Sequence, residues 1–307
     1  MNKKTSKAFT MIELIFVIVI MGILAKFGVE FLAQAYNSFI HSKINNELQD
    51  QSESAVEFVA NRLQYRIKDS VIAREADDDF FGLSGYSDDN ATILEWVGTD
   101  VEGFRGDSMP YWSGVIDFKQ STATLLKSPE TNTSAINNLI GVLSDGTSDI
   151  NDSALYFVDS DNDVQHGYGW DHNISTISTQ NGVMHPIRNT ANIDEFIPKN
   201  SSTLADNNLT NVDVSDYYKL AWTAYAVGIQ DYNTMTKTGT LKLYYGYQPW
   251  YGESYINAEK NATIMEDVST FQFMAVGSLI KIQVCTKSNL LKDQNEEYSI
   301  CKEKTIY

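Results

Sequence analysis

The sequence predicts an α+β chain in which a long N-terminal α-helix packs on an antiparallel β-sheet head carrying long loop insertions. Three observations predict it. An apolar run opens the chain and is unbroken from Leu14 to Ala25. Apolar residues then recur at steps of three or four, the spacing of one helix face, as far as Ile67, with one longer gap between Leu48 and Ala55. Beyond that the character changes to short β-prone runs set among stretches rich in Ser, Thr, Asn, Asp and Gly. With 43% hydrophobic and 21% charged residues in 307, the chain has the apolar material for a folded core.

Residues 1–8, M-N-K-K-T-S-K-A, place a short basic segment before the apolar run, the order of an export signal. An ordinary signal peptide is cut after its apolar region. Here the small residue suited to cleavage, Ala8, comes before it, so the apolar run is expected to be kept. With weaker stretches on both sides the run reaches about Ala35, and roughly 20 such residues cross a hydrocarbon layer. Lys3, Lys4 and Lys7 mark the cytoplasmic side and put the rest of the chain opposite. Glu13 stands out, because a carboxylate at the edge of such a run costs energy in lipid and points to a partner.

Past the apolar run, Tyr36, Ile40, Ile44, Leu48, Ala55, Val59, Leu63 and Ile67 form an amphipathic stripe, with Lys43, Glu47, Glu53, Arg62 and Lys68 mainly off it. The expected division is a leader at 1–8, one helix at 9–73 and a β-rich head at 74–307. Within the helix, 9–33 is the membrane and assembly part and 34–73 the amphipathic part. No proline occurs before Pro110, so no proline kink is expected.

The segment K-A-F-T-M-I-E-L resembles the cleavage and methylation motif of type IV pilins and the related pseudopilins of type II secretion. The resemblance covers about 25 residues and implies cleavage between Ala8 and Phe9 by a prepilin peptidase, then N-methylation of Phe9. It implies that Glu13, with Thr10 also matching the motif, faces the Phe9 amine of a neighbouring pilin or pseudopilin subunit during assembly. It further implies a single pass through the inner membrane, a head in the periplasm or on a surface filament, and a structural rather than enzymatic role. Two departures are Ala8, where the family usually has glycine, and the missing proline. The long head and proline-free helix favour a minor subunit. The competing expectation is an adhesin or DNA-uptake binding subunit of a pilus.

In the head, T92-I-L-E-W-V, G114-V-I-D-F and A154-L-Y-F-V read as strands. From Tyr218 onward K219-L-A-W-T-A-Y-A-V-G-I, T240-L-K-L-Y-Y-G-Y, V268-S-T-F-Q-F-M-A-V and L279-I-K-I-Q-V-C read as an antiparallel meander. Leu241, Leu243 and Tyr245 alternate with Lys242 and Tyr244, as one buried face requires. Residues 119–153 and 171–215 carry no strong period and read as loop insertions. Q248-P-W-Y-G reads as an exposed contact loop. Cys285 and Cys301 are the two cysteines, and in a head outside the cytoplasm they pair.

The net charge is −17, and loss of residues 1–8 leaves 20 basic against 40 acidic residues. Such a surface repels phosphates, so no nucleic-acid partner is evident in the totals. Asp159, Asp161 and Asp163 alternate in a turn-like segment and are candidate Ca2+ ligands; some pseudopilins bind calcium in their heads, though the EF-hand glycine and terminal glutamate are absent. His166 and His172 lie near them in sequence. No catalytic triad, phosphate-cradling loop or CxxC motif is visible.

The tripeptide N-x-S/T occurs at Asn90, Asn132, Asn151, Asn173, Asn200, Asn208 and Asn261. All but Asn200 carry an acid two residues earlier: Asp88, Glu130, Asp149, Asp171, Asp206 and Glu259. Acids are 40 of 307 residues, so chance alone yields about one such coincidence. The pattern resembles the extended acceptor site of bacterial N-linked glycosylation and marks Asn90, Asn132, Asn151, Asn173, Asn208 and Asn261 as glycosylation candidates.

Overall fold

A computed structural model describes residues 10–160, 163–178, 182–258, 260–288 and 299–307. The chain divides into two units, Met1–Asp50 and Gln51–Tyr307. Helix α1 (Met11–Leu63) is continuous through the boundary. In the first unit its large apolar residues stand exposed, from Met11 to Phe39.

The helix stops at Leu63, ten residues before the expected end at residue 73. No glycine or proline stops it. Instead the sheet takes over the backbone groups: Ile67 N–H donates to the Val97 carbonyl (2.9 Å) and Thr99 N–H to the Tyr65 carbonyl (2.9 Å). The Arg66 N–H and guanidinium both donate to the Leu63 carbonyl, at 3.2 and 3.0 Å, closing the orphaned helix end. Ile67, the last residue of the predicted stripe, is buried outside the helix.

In the second unit the chain runs through β1 (Ile72–Glu75), β2 (Phe80–Gly82), β3 (Ala91–Gly98), α2 (Val101–Arg105), β4 (Leu126–Lys127), α3 (Thr133–Leu143) and β5 (Ala154–Phe157). It continues with α4 (Ser175–Ser178), β6 (Met184–Asn189), β7 (Glu195–Pro198), β8 (Tyr218–Ala221) and β9 (Thr223–Asn233). Next come β10 (Thr238–Tyr247), β11 (Lys260–Val276), β12 (Leu279–Lys287) and β13 (Ser299–Ile306). Among the described residues these strands form an eight-stranded sheet, ordered β13-β12-β11-β10-β9-β3-β1-β2, and a five-stranded sheet, β4-β7-β6-β5-β8. All pairings are antiparallel. The predicted meander is the run β9 to β12, which β13 extends at the edge; the first predicted segment is split, since its Lys219–Ala221 part belongs to β8 in the small sheet.

Alternation along the strands sorts the side chains into layers. Leu94 and Trp96 of β3 join Leu241 and Leu243 of β10 against Ala55, Val56, Val59, Ala60 and Leu63 of α1. Ile93 and Val97, one residue out of phase, face the other way and pack with Tyr156 of β5 and Met184 of β6. Leu155 and Phe157 of β5 pack in turn with Ile136 and Ile140 of α3 and Phe196 of β7. The second unit is therefore the end of α1, a large sheet, a small sheet and α3, stacked in that order.

Three expectations need correction. The segments 119–153 and 171–215 are not plain loops, since they supply β4, α3, α4, β6 and β7, with Leu126, Ile136, Ile140, Ile150, Ile187 and Phe196 in a core. These strands are too short to show a period, and β6 carries Pro186, so their burial comes from the neighbouring layers. The run G114-V-I-D-F makes only one bridge, Val115 to Tyr217, in place of a strand. The segment Gln248–Gly252 is not exposed: Trp250 is fully buried with its indole N–H donating to the Asp152 carbonyl (2.9 Å), and Tyr251 Oη–H donates to the Asn151 carbonyl (3.0 Å).

Candidate assembly site at the start of the helix

Thr10 and Glu13 open α1 as a reciprocal cap. Thr10 N–H and Oγ–H both donate to Glu13 Oε2, each at 2.9 Å, and Glu13 N–H returns to Thr10 Oγ1 at 3.4 Å. T-M-I-E is the S/T-x-x-E capping box, which satisfies two backbone donors that an α-helix leaves open at its N-terminus. Both side-chain contacts use Oε2, so Oε1 stays outside them. The proposed processing residues Ala8 and Phe9 lie outside the described residues.

Downstream of the cap, Leu14, Phe16, Ile20, Leu24 and Phe27 are each more than half exposed. The most apolar stretch of α1 has a mean hydropathy of 2.4, with none of it buried. Lys26 and Glu30, one turn apart, sit 3.9 Å from each other at the end of the unbroken apolar run. The arrangement is chemically simple. A carboxylate is fixed at the first turn of a helix whose large side chains from Leu14 to Leu24 favour an apolar solvent or the flank of another helix.

Residues 3–25 match the prokaryotic N-terminal methylation motif. The match covers only the start of the chain, and in that segment the chain is similar to prepilin-type pilins and pseudopilins. No curated protein and no solved structure matches it. The motif implies processing by a prepilin peptidase and assembly with other pilins, and it belongs to structural, non-enzymatic proteins.

The second unit holds the other predicted site residues. Cys285 and Cys301 are disulfide-bonded and directly paired across β12 and β13. Asp159 accepts from Ser215 Oγ–H (3.2 Å), while Asp163 accepts from the N–H groups of Gln165 (3.0 Å) and His166 (3.1 Å); Asp161 lies outside the described residues. His166 Nδ1 is 3.2 Å from Asp163 Oδ2, whereas His172 pairs elsewhere, with Asp78 (3.7 Å) and the Gly252 carbonyl (3.3 Å). Among the described residues no three His, Cys, Asp or Glu side chains gather as a metal site.

Sequence reasoning missed the most polar feature of the interior. Arg74 and Glu95, on the adjacent strands β1 and β3, are 2% and 1% exposed. Arg74 Nε donates to Glu95 Oε1 (2.5 Å), its remaining nitrogens to Asp78 Oδ1 (2.8 Å) and the Trp170 carbonyl (3.2 Å), and Tyr247 Oη–H donates to Glu95 Oε2 (3.1 Å). Burial raises the Glu95 pKa and Arg74 pulls against it. Breaking a buried ion pair is costly unless other hydrogen bonds hold its groups, and here each guanidinium nitrogen and each Glu95 oxygen has a partner. The one signal was a lone acid inside the otherwise apolar run T-I-L-E-W-V.

Two further groups have displaced pKa values. Burial pushes the Asp100 carboxyl up to about 6, against the N–H of Gly103 (3.1 Å), and the Trp112 indole N–H also donates to it (3.1 Å). Burial takes His185 the other way, down to about 4, with its ring 5.1 Å from that of Phe157.

Proposed function

We propose that the chain is a minor pilin or minor pseudopilin, incorporated by its stem into a filament. Prepilin peptidase removes residues 1–8 between Ala8 and Phe9, residues 9–33 cross the inner membrane once, and the head, residues 74–307, stands in the periplasm or on a surface filament. The observation that supports this most is the juxtaposition at the start of α1: a capped carboxylate followed immediately by large exposed apolar side chains. Opposite charges attract strongly in a low dielectric, so Glu13 Oε1 is suited to the amine of a neighbouring Phe9 and would set the axial register of packed stems.

A minor rather than major role is supported by the head, whose two sheets and flanking helices are bulky for a subunit that must repeat densely along a filament. The test combines two measurements. N-terminal sequencing of the mature protein is expected to begin at Phe9. Glu13→Ala is expected to abolish incorporation into filaments while leaving the disulfide and the unfolding of the head unchanged; normal incorporation of that variant discards the charge role.

A further inference from the structure

We propose that the head is an N-glycoprotein, modified at the asparagines of its acid-preceded N-x-S/T sites, foremost Asn90, Asn173 and Asn208. All three are exposed and lie in irregular backbone outside the helices and strands. The structure also orders two of the carboxamides, those of Asn173 and Asn208. Asn173 Oδ1 accepts from Ser175 N–H (3.3 Å) and from the Ser175 hydroxyl (2.7 Å), the hydroxyl of its own tripeptide. Asn208 Oδ1 accepts from Thr210 N–H (3.0 Å). These bonds hold the oxygen and leave Nδ2, the atom that would carry the sugar, outside them. Asp88, two residues upstream of Asn90, is exposed and able to meet a cation on a transferase, whereas Asp206, upstream of Asn208, is exposed but already accepts from Arg188 Nε (2.6 Å) and Nη2 (2.8 Å), a pair that the transferase's cation would have to displace.

The other sites differ. Asn132 is exposed but caps α3 through its Oδ1, taking Ala135 N–H at 3.0 Å. Asn261 is exposed within β11. Asn151 is half-buried in a short helical turn, and its carbonyl holds Lys199 Nζ (2.6 Å) and Tyr251 Oη (3.0 Å), so it is the poorest acceptor of the six. Asn200 is an internal control, with Pro198 in place of an acid.

The co-reactant is an oligosaccharide linked through pyrophosphate to a polyprenyl lipid, presented by a membrane transferase. Asparagine Nδ2 forms a bond to the anomeric carbon, the bond from that carbon to the phosphate oxygen breaks, Nδ2 gives up one proton, and the lipid pyrophosphate leaves. No electrons change hands. The modification solubilises a surface loop and requires the sequence motif to be exposed.

The inference rests on the reading that places the head outside the cytoplasm, where such a transferase would act. The experiment is peptide mapping by mass spectrometry on the full-length protein isolated from its own host, with the state of Cys285 and Cys301 measured in the same sample. The expected result is one common mass increment on the peptides of Asn90, Asn173 and Asn208, none on Asn200, and loss of the increment at Asn90 alone in Asp88→Ala. Unmodified peptides with the disulfide formed overturn the glycan. Unmodified peptides with free thiols overturn the placement of the head and the glycan with it. An increment on Asn200, or one that survives at Asn90 in Asp88→Ala, overturns the role of the acid.

Discussion

One helix serves two environments. Between Met11 and Phe39, α1 is ringed by large exposed apolar residues, among them Phe16, Ile20, Phe27 and Phe31. Between Gln51 and Leu63 the same backbone carries small and medium apolar residues on one face, Ala55, Val56, Val59, Ala60 and Leu63, and these are buried against the large sheet. Acids follow the same division. Glu13 finds its partner within one turn, in Thr10, whereas Glu95 in the head depends on Arg74 and Tyr247 from separate strands. Apolar surface in the upper part is an internal matter; in the lower part it is left for molecules other than the chain itself.

Breaking the upper part should have the largest effect. Val59→Asp puts an unpaired charge into a fully buried site and is expected to destabilise the head by about 4 kcal/mol or more in denaturant unfolding. Val19→Asp, in the lower part, should leave head unfolding unchanged and instead reduce recovery in the membrane fraction. Equal effects of the two on unfolding would erase the distinction between them.

The two acids make a second test. Arg74→Ala leaves Glu95 buried without its cation and should cost about 3–5 kcal/mol. Thr10→Ala removes only a helix cap, worth about 1 kcal/mol locally, and should not alter head unfolding at all. Removing the disulfide with Cys301→Ser should cost about 3 kcal/mol, the loop-entropy value for a bridge of this span, read as a shift in the denaturant midpoint.

The pH dependence of the head should reveal two opposing groups. Asp100 has a folded pKa of about 6 against an ordinary 3.8, so the folded state binds the extra proton and stability falls as pH rises from about 4 to 6. His185 has a folded pKa of about 4 against 6.5, so the unfolded state binds the extra proton and stability falls as pH drops from about 6.5 to 4. Each shift corresponds to roughly 3 kcal/mol, and in the intact protein they largely offset. Asp100→Asn should therefore expose a loss of stability on acidification, and His185→Gln a gain, in urea titrations at pH 4 and 7. The smallest effect belongs to the surface: Lys304→Ala removes the ion pair between β13 and Glu57 of α1, half exposed, and should cost under about 1 kcal/mol.

The sequence carried the lower part of α1 almost entirely, because it depends on local composition, an apolar run; its cap went unread, although Thr10 three residues before Glu13 is its local signal. The strands β3, β5 and β9 to β12 were legible for a related reason, in that each holds enough β-prone residues to show itself. What escaped was set by partners distant in sequence. The helix ends where the Val97 carbonyl accepts from Ile67 N–H and the Tyr65 carbonyl from Thr99 N–H, and no residue type at Leu63 announces it. Arg74 reads as a solvent-facing residue until Glu95 is placed beside it. Trp250 looks like an exposed aromatic until the small sheet covers it. Strands such as β4 and β7, two and four residues long, are too brief to declare a period.

Strand β13 closes a circuit of the chain. Its Ile306 lies in the core beneath α1, its Lys302 and Lys304 reach back to Glu53 and Glu57, and its Cys301 is bonded to β12. On the proposed placement, folding of the head is thereby tied to the timing of export: the stem would enter the bilayer while nearly all of the chain is still to come, and the shelf on which its upper turns rest would stay one strand short until residues some 240 positions later have crossed. Until then the apolar face of those turns is unprotected, and a chaperone or a neighbouring subunit has its widest opportunity to bind.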